Sequence, residues 1–313
     1  MNKPILVRLR ASKSTNPNRA AIPLATLHGS QSGKARIMNL NTITDVKRPA
    51  DAGEIRNWRA SYAWLAGGTW LFSEPQPTTD TLIDLERLGW PPTMVSADGL
   101  DIAATCRIVD LYRLQCPSEW TASPLLRECC NALLASFKVW NTATVGGNIC
   151  MSLPAGAMSS LVVALEGRLT LWPRSGTPRI VPAVDFITGN HQNVLAPGEL
   201  LRSIFLPGAA LSKRYAVRRA SLVKLGRSAA LLIGTRGTDN RLLITITAAT
   251  PRPVQLAFAG IPSADELRRA IDVAIPEHGY FDDVNGRPEY RRHLTYYFAE
   301  QIRAELAQPG GAA

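Results

Sequence analysis

Residues 141–149 read Asn-Thr-Ala-Thr-Val-Gly-Gly-Asn-Ile, and residues 65–70 read Leu-Ala-Gly-Gly-Thr-Trp. Each segment brings an extended approach to a Gly-Gly pair with a threonine beside it. Paired glycines carry no Cβ atoms, so consecutive backbone N–H groups can converge on an anion. The hydroxyl of Thr69 or Thr144 adds a donor of suitable length. Either segment alone is weak, because Gly-Gly also punctuates ordinary turns. Neither is a Rossmann fingerprint, since there is no G-x-G-x-x-G and no acidic residue about 20 positions further on. Neither is a P-loop, which needs Gly-Lys-Ser/Thr. An anion held here requires a different architecture.

The flanks alternate short strands and helices. Strand character is expected at 41–46, 62–65, 81–85 and 99–104, and the second of these runs straight into Ala66. Helices are expected at 50–59, 109–114 and 123–136, with 141–152 glycine-bearing and helix-poor. Residues 168–172 and 179–182 suggest a β pair around Ser175-Gly176. Pro207-Gly208 is the clearest internal boundary. Beyond it, strand-like stretches at 214–219, 229–234 and 242–248 precede helices at 264–273 and 290–306. Strands followed by late helices predict a small α+β unit.

The bulk properties exclude several classes. A chain of 313 residues with 46% hydrophobic content can bury a sizeable core. No run reaches the roughly 18 apolar residues of a membrane helix, and a cytoplasmic protein is expected. Of the net charge of +10, seven positive charges fall in residues 1–37, which hold no Asp or Glu. That segment reads as a basic disordered extension, compatible with a transit peptide or with an overlong start. The body lacks a basic stripe interleaved with aromatics, so nucleic acid is not an expected partner. Five cysteines, an odd number without C-x-x-C spacing, predict neither a disulfide framework nor cluster ligands. His28, His191, His278 and His293 are scattered singly, and no metal site or nucleophile triad is expected.

The order and spacing of Ala66-Gly67-Gly68-Thr69, Leu82-Ile83-Asp84-Leu85 and Asn141–Ile149 resemble the FAD-binding subunits of the xanthine dehydrogenase and carbon monoxide dehydrogenase family. Leu195-Ala196-Pro197-Gly198-Glu199-Leu200-Leu201, with Ser203-Ile204 and Pro207, is similar to the segment closing that family's FAD domain. Residues 214–221, Ala248-Ala249-Thr250-Pro251-Arg252-Pro253 and 280–306 look like its C-terminal flavoprotein domain. The resemblance implies an α+β chain. A two-lobed FAD domain of the vanillyl-alcohol oxidase (PCMH) type would cover 38–207, with its lobe boundary near 95–100. A small α+β domain with a three-stranded sheet and helices would cover 208–306, and a tail 307–313.

It further implies FAD on this chain, with Leu65, Ala66, Gly67, Gly68, Thr69 and Trp70 on the pyrophosphate. Thr144, Gly146, Gly147 and Asn148 would approach the pyrophosphate and the isoalloxazine edge. Leu201 would be an apolar contact near the ring, and Arg218 a cation near it. Three positions depart from the family pattern: Ala157 stands for an aspartate, Trp140 for an arginine, and Trp70 for an acidic residue. Ser152, Ser159 and Ser160 are candidate hydroxyl substitutes for the missing aspartate. The implied partners are a small [2Fe–2S] subunit and a large molybdopterin subunit in a hetero-oligomer, docking on a face around Lys138–Trp140. Two alternatives remain open: a self-sufficient flavin oxidase, for which Cys150 is the candidate flavin tether, and a flavin-free assembly subunit.

Overall fold

The computed structural model describes residues 42–54, 57–133 and 135–308. The expected basic extension 1–37, residue 41 of the first expected strand, and most of the 307–313 tail lie outside the described residues. Strands β1 (Asp45–Lys47), β2 (Tyr62–Leu65) and β3 (Thr81–Asp84) form a parallel sheet in the order β1-β3-β2. The central strand is buried throughout, as expected of a parallel sheet. Asp84 is retained in it because its carboxylate accepts from the Glu86 N–H at 3.0 Å and meets Arg48 at 3.1 Å. Of the helix expected at 50–59, the described residues show only a 3-10 turn, Ala52–Glu54. Gly53 lies inside that turn, where a flexible backbone disfavours a longer helix.

The second sheet is antiparallel. It comprises β4 (Thr93–Val95), β5 (Gly99–Ala103), β6 (Arg168–Trp172) and β7 (Arg179–Pro182). A two-strand hairpin of β8 (Ile187–Gly189) and β9 (Gln192–Asn193) intervenes before β10 (Leu200–Pro207), which completes the order β4-β5-β10-β6-β7. Alternation places Leu100, Ile102, Leu169, Leu171, Ile204 and Leu206 on one face, all buried. Against that face lie α1 (Ile108–Arg113), α2 (Pro124–Ala132), α3 (Phe137–Trp140), α4 (Val145–Cys150) and α5 (Ala157–Ala164), sharing one core. Short helices α6 (Ala183–Phe186) and α7 (Gly208–Leu211) cap strand ends.

The C-terminal sheet is a meander of β11 (Arg214–Ala220), β12 (Ala230–Arg236), β13 (Leu242–Thr247) and β14 (Val254–Phe258). It therefore has four strands where the resemblance implied three. The fourth escapes a reading of periodicity because Pro251 and Pro253 precede it and it is only five residues long. Helices α8 (Ala264–Ala274) and α9 (Pro288–Ala307) form a second core with one face of this sheet. The other face lies on α5. There Ser160 and Thr247 share a hydroxyl–hydroxyl bond of 2.6 Å, Gln255 donates to the Val163 carbonyl at 2.9 Å, and the Ala248 N–H donates to Pro154 at 2.8 Å.

Candidate functional site

A cavity of about 720 Å³ brings the two glycine segments together. That size falls within the range of about 300–1,000 Å³ common for small-molecule and cofactor sites. The first segment lines it from Leu65 to Leu71, and the second supplies Thr144, Gly147 and Asn148. The two backbones touch: a Cβ on Gly67 would stand 1.9 Å from the Thr142 carbonyl oxygen. Trp64, Leu133, Val139, Met151 and Leu153 make the wall largely apolar.

The first segment is an open donor loop. Gly68 adopts φ +68°, a left-handed conformation that glycine accepts at little cost. A turn then forms in which the Phe72 N–H reaches the Gly68 carbonyl at 2.8 Å. Among the described residues, the N–H groups of Gly67, Gly68, Thr69, Trp70 and Leu71 have no hydrogen-bond acceptor. Such a row suits an anion. Trp70 leaves the loop to pack on His191, with ring centroids 5.5 Å apart, across the β8–β9 turn.

The second segment is a helix, which corrects the helix-poor expectation for 141–152. Thr144 is the N-cap of α4, and its hydroxyl accepts from the Gly147 N–H at 3.0 Å. The Val145 N–H donates to Cys106 at 2.8 Å, and the Gly146 N–H donates to Ala104 at 3.0 Å. The leading donors of this segment are thus already engaged, and the expected second nest is closed. Gly146 is needed for packing: a Cβ there would come within 2.5–2.7 Å of Ala104. Asn148 has its side-chain oxygen on the Met158 N–H at 3.1 Å, which ties α4 to the start of α5.

Other expected site residues do not line the cavity. Gly146, Ser152, Ala157 and Leu201 are buried behind it. Ser152, at φ +50°, bonds the carbonyls of Ile149 and Cys150 and accepts from the Asn193 amide at 3.0 Å. Arg218 faces away from the cavity, reaching Gln301 at 2.9 Å and Glu305 on α9. The alternation of β11 explains this: its neighbours Val217 and Tyr215 pack on the first core, so Arg218 turns to the helices. Trp140 is not an exposed anchor either. It packs on Tyr112 at 4.9 Å against the core, and the exposed side chain of that helix is Phe137.

The C-terminal domain adds residues that the sequence did not single out as ligands: Leu225, Arg227, Ser228, Phe281, Asp283 and Arg291. Arg291 is 1% exposed and donates to the carbonyls of Gly286 at 2.9 Å and Ala229 at 2.7 Å, to that of Ala248, and to the Asp283 carboxylate. Burial lowers its pKa, and the neighbouring Asp283 opposes that shift. Nothing in residue spacing marks these positions, because they converge only through the C-terminal sheet. Cys150 also lines the cavity, and burial pushes its thiol up to about 12. It is a protonated packing residue rather than a nucleophile.

Residues 39–209 match the family model described as the FAD binding domain in molybdopterin dehydrogenase. The carbon monoxide dehydrogenase medium chain of Hydrogenophaga pseudoflava is 27% identical over 254 residues, covering 74% of this chain and 84% of that one. Xanthine dehydrogenase 1 of Arabidopsis thaliana is 27% identical over 125 residues, 36% of this chain; the match spans only 9% of the plant protein's length. In fold, the chain is similar to a solved carbon monoxide dehydrogenase chain from Hydrogenophaga pseudoflava, with a TM-score of 0.67 at 21% identity over 83% of this chain and 96% of that one. With a helix-and-sheet fold of this kind and more than half its length in the matched region, the chain belongs to the family of FAD binding domains in molybdopterin dehydrogenases.

Proposed function

We propose that this chain is the FAD-binding medium subunit of a molybdenum-containing hydroxylase or dehydrogenase. In this reading, electrons arrive from [2Fe–2S] clusters on a small partner subunit and leave for an external acceptor, while molybdopterin resides on a large partner subunit. Residues 38–207 are read as a two-lobed FAD domain of the PCMH type, and 208–306 as the flavoprotein C-terminal domain. The observation that carries the proposal is the open row of N–H groups at 67–71, facing a cavity of cofactor size in a chain of this family.

The residues present fit the cofactor. Amide donors with no acceptor among the described residues suit a diphosphate without a metal, and the apolar wall at Leu133, Val139, Met151 and Leu153 suits a flat ring. FAD, when bound, supplies the one- and two-electron redox chemistry. The chain itself binds and orients it. Gly67 and Gly68 hold the loop in the conformation that exposes its donors, Thr144 and Gly147 form the facing wall, and Trp70 with His191 covers the rim. Arg291 fixes the C-terminal wall, because one guanidinium gathers three separate segments. The protonated state of Cys150 speaks against a flavin tether, and hence against the self-sufficient oxidase.

The test is reduction of the flavin in rapid mixing, with the isolated chain compared with the chain assembled with its co-purified partners. The expected outcome is flavin reduction by the organic substrate only in the assembly. Equal rates in the isolated chain would establish the oxidase instead, and absence of flavin from purified protein would support the assembly subunit.

A further inference from the structure

Helix α5 is buried along its whole length, and all eight of its residues are shielded from solvent. The segment leading into it, 153–156, lines the cavity, so the helix begins at the cavity wall. A buried helix start needs partners for its first N–H groups, which have none within the helix. The N-cap is Gly156, which has no side chain to offer one. The Met158 N–H is met by Asn148 at 3.1 Å, and the Ser160 N–H by the Gly156 carbonyl at 3.0 Å. Among the described residues, the N–H groups of Ala157 and Ser159 have no acceptor.

The Ser159 hydroxyl is a third, independent member of this set. Its side chain belongs to a residue only 2% exposed, and its oxygen has no hydrogen-bond partner. It points toward the cavity wall, standing 3.1 Å from where a Cβ of Gly156 would be. The nearby serines differ. Ser152 is engaged with two carbonyls and Asn193, and Ser160 with Thr247 and the Gly156 carbonyl.

We infer that the start of α5 is a second oxyanion cradle of the cavity. The Ser159 hydroxyl, with the N–H groups of Ala157 and Ser159, takes a phosphate oxygen of the dinucleotide while the 67–71 loop takes the rest of the diphosphate. Three groups that can donate, with no basic side chain among them, suit an acceptor-only ligand better than a sugar hydroxyl, which must also donate. The positive end of the helix dipole acts in the same direction. Asn148 is a positioning residue here, since its bond to Met158 holds the helix start in place. The ligand's identity rests on the FAD reading, whereas the cradle rests on the donors.

The experiment uses full-length protein freed of flavin and titrated calorimetrically with FAD and, separately, with inorganic pyrophosphate. Ser159→Ala should weaken both ligands roughly 10- to 100-fold, the loss expected for one hydrogen bond to a charged acceptor. Its melting temperature without ligand should not fall, because no bond within the protein is lost. Ser160→Ala should show the opposite pattern, a lower melting temperature with unchanged affinity. Unchanged affinity of Ser159→Ala for both ligands overturns the inference. Pyrophosphate binding that depends on Ser159, in a protein that takes up no FAD, supports the cradle and overturns the flavin reading. FAD binding that is indifferent to Ser159 does the reverse, and a wild type that binds neither ligand overturns both.

Discussion

Two Gly-Gly pairs, each beside a threonine, stand in opposite physical states. At 67–68 the pair opens the backbone: Gly68 is left-handed, and the N–H groups that follow face the cavity without acceptors among the described residues. At 146–147 the pair is wound into α4, its donors are consumed by Ala104 and Thr144, and Gly146 lets a helix lie against the chain leaving β5. The same absent side chain serves anion access in one place and packing in the other. Each pair needs the other, since the first loop rests on the backbone that leads into the second.

The largest expected effect is at that contact. Gly67→Val puts a branched side chain where the Thr142 carbonyl lies 1.9 Å from a Cβ. It should cost more than about 3 kcal/mol by overpacking and abolish flavin binding, read by urea denaturation and flavin absorbance. Stoichiometric flavin in a stable variant would break the comparison. Gly146→Ala should cost about 1–3 kcal/mol against Ala104, while the folded fraction keeps its flavin affinity. Tighter dependence of affinity on this residue would mean that the second pair is a ligand loop after all.

Gly68→Ala should cost about 1–2 kcal/mol for its left-handed backbone, because the close neighbour is the movable Phe72 ring; flavin affinity should drop with it as the donors turn. Thr144→Val removes the cap of α4 and should lower stability by about 1 kcal/mol, seen as a lower thermal midpoint. Arg218→Gln should leave flavin content and its visible spectrum unchanged and lower stability by no more than about 1 kcal/mol, because its ion pair with Glu305 is at the surface. A spectral change in that variant would place a cation at the ring that the alternation of β11 sends elsewhere.

These contrasts also show what the sequence made legible. Strand β2 was expected where it lies, and β11, β12 and β13 within about two residues, because their apolar runs are bounded by turns. The β6–β7 hairpin followed from its flanking strands and Ser175-Gly176 in the same way. Helix α4 was not legible, since two glycines in six residues lower its propensity and only tertiary bonds to Ala104 and Cys106 secure it. Arg218 was misplaced for a related reason: motif spacing locates a residue along a strand, but which face it takes is set by what the sheet packs on. Of the three candidate serines, only the structure separates Ser159, because the partners of Ser152 and Ser160 lie 41 and 87 residues away.

Arg291 carries a consequence for the order in which the protein can be made. The carbonyls it holds belong to Ala229, Ala248 and Gly286, all of which leave the ribosome before it does. Until α9 has emerged and docked, those three oxygens and the Asp283 carboxylate lack their shared partner, and the C-terminal wall of the cavity has nothing to fix its shape. The amino-terminal sheets can close earlier, since domains tend to fold as they are synthesised. A nascent chain therefore presents the 67–71 loop early but a finished cavity late, which makes cofactor capture a step that follows translation.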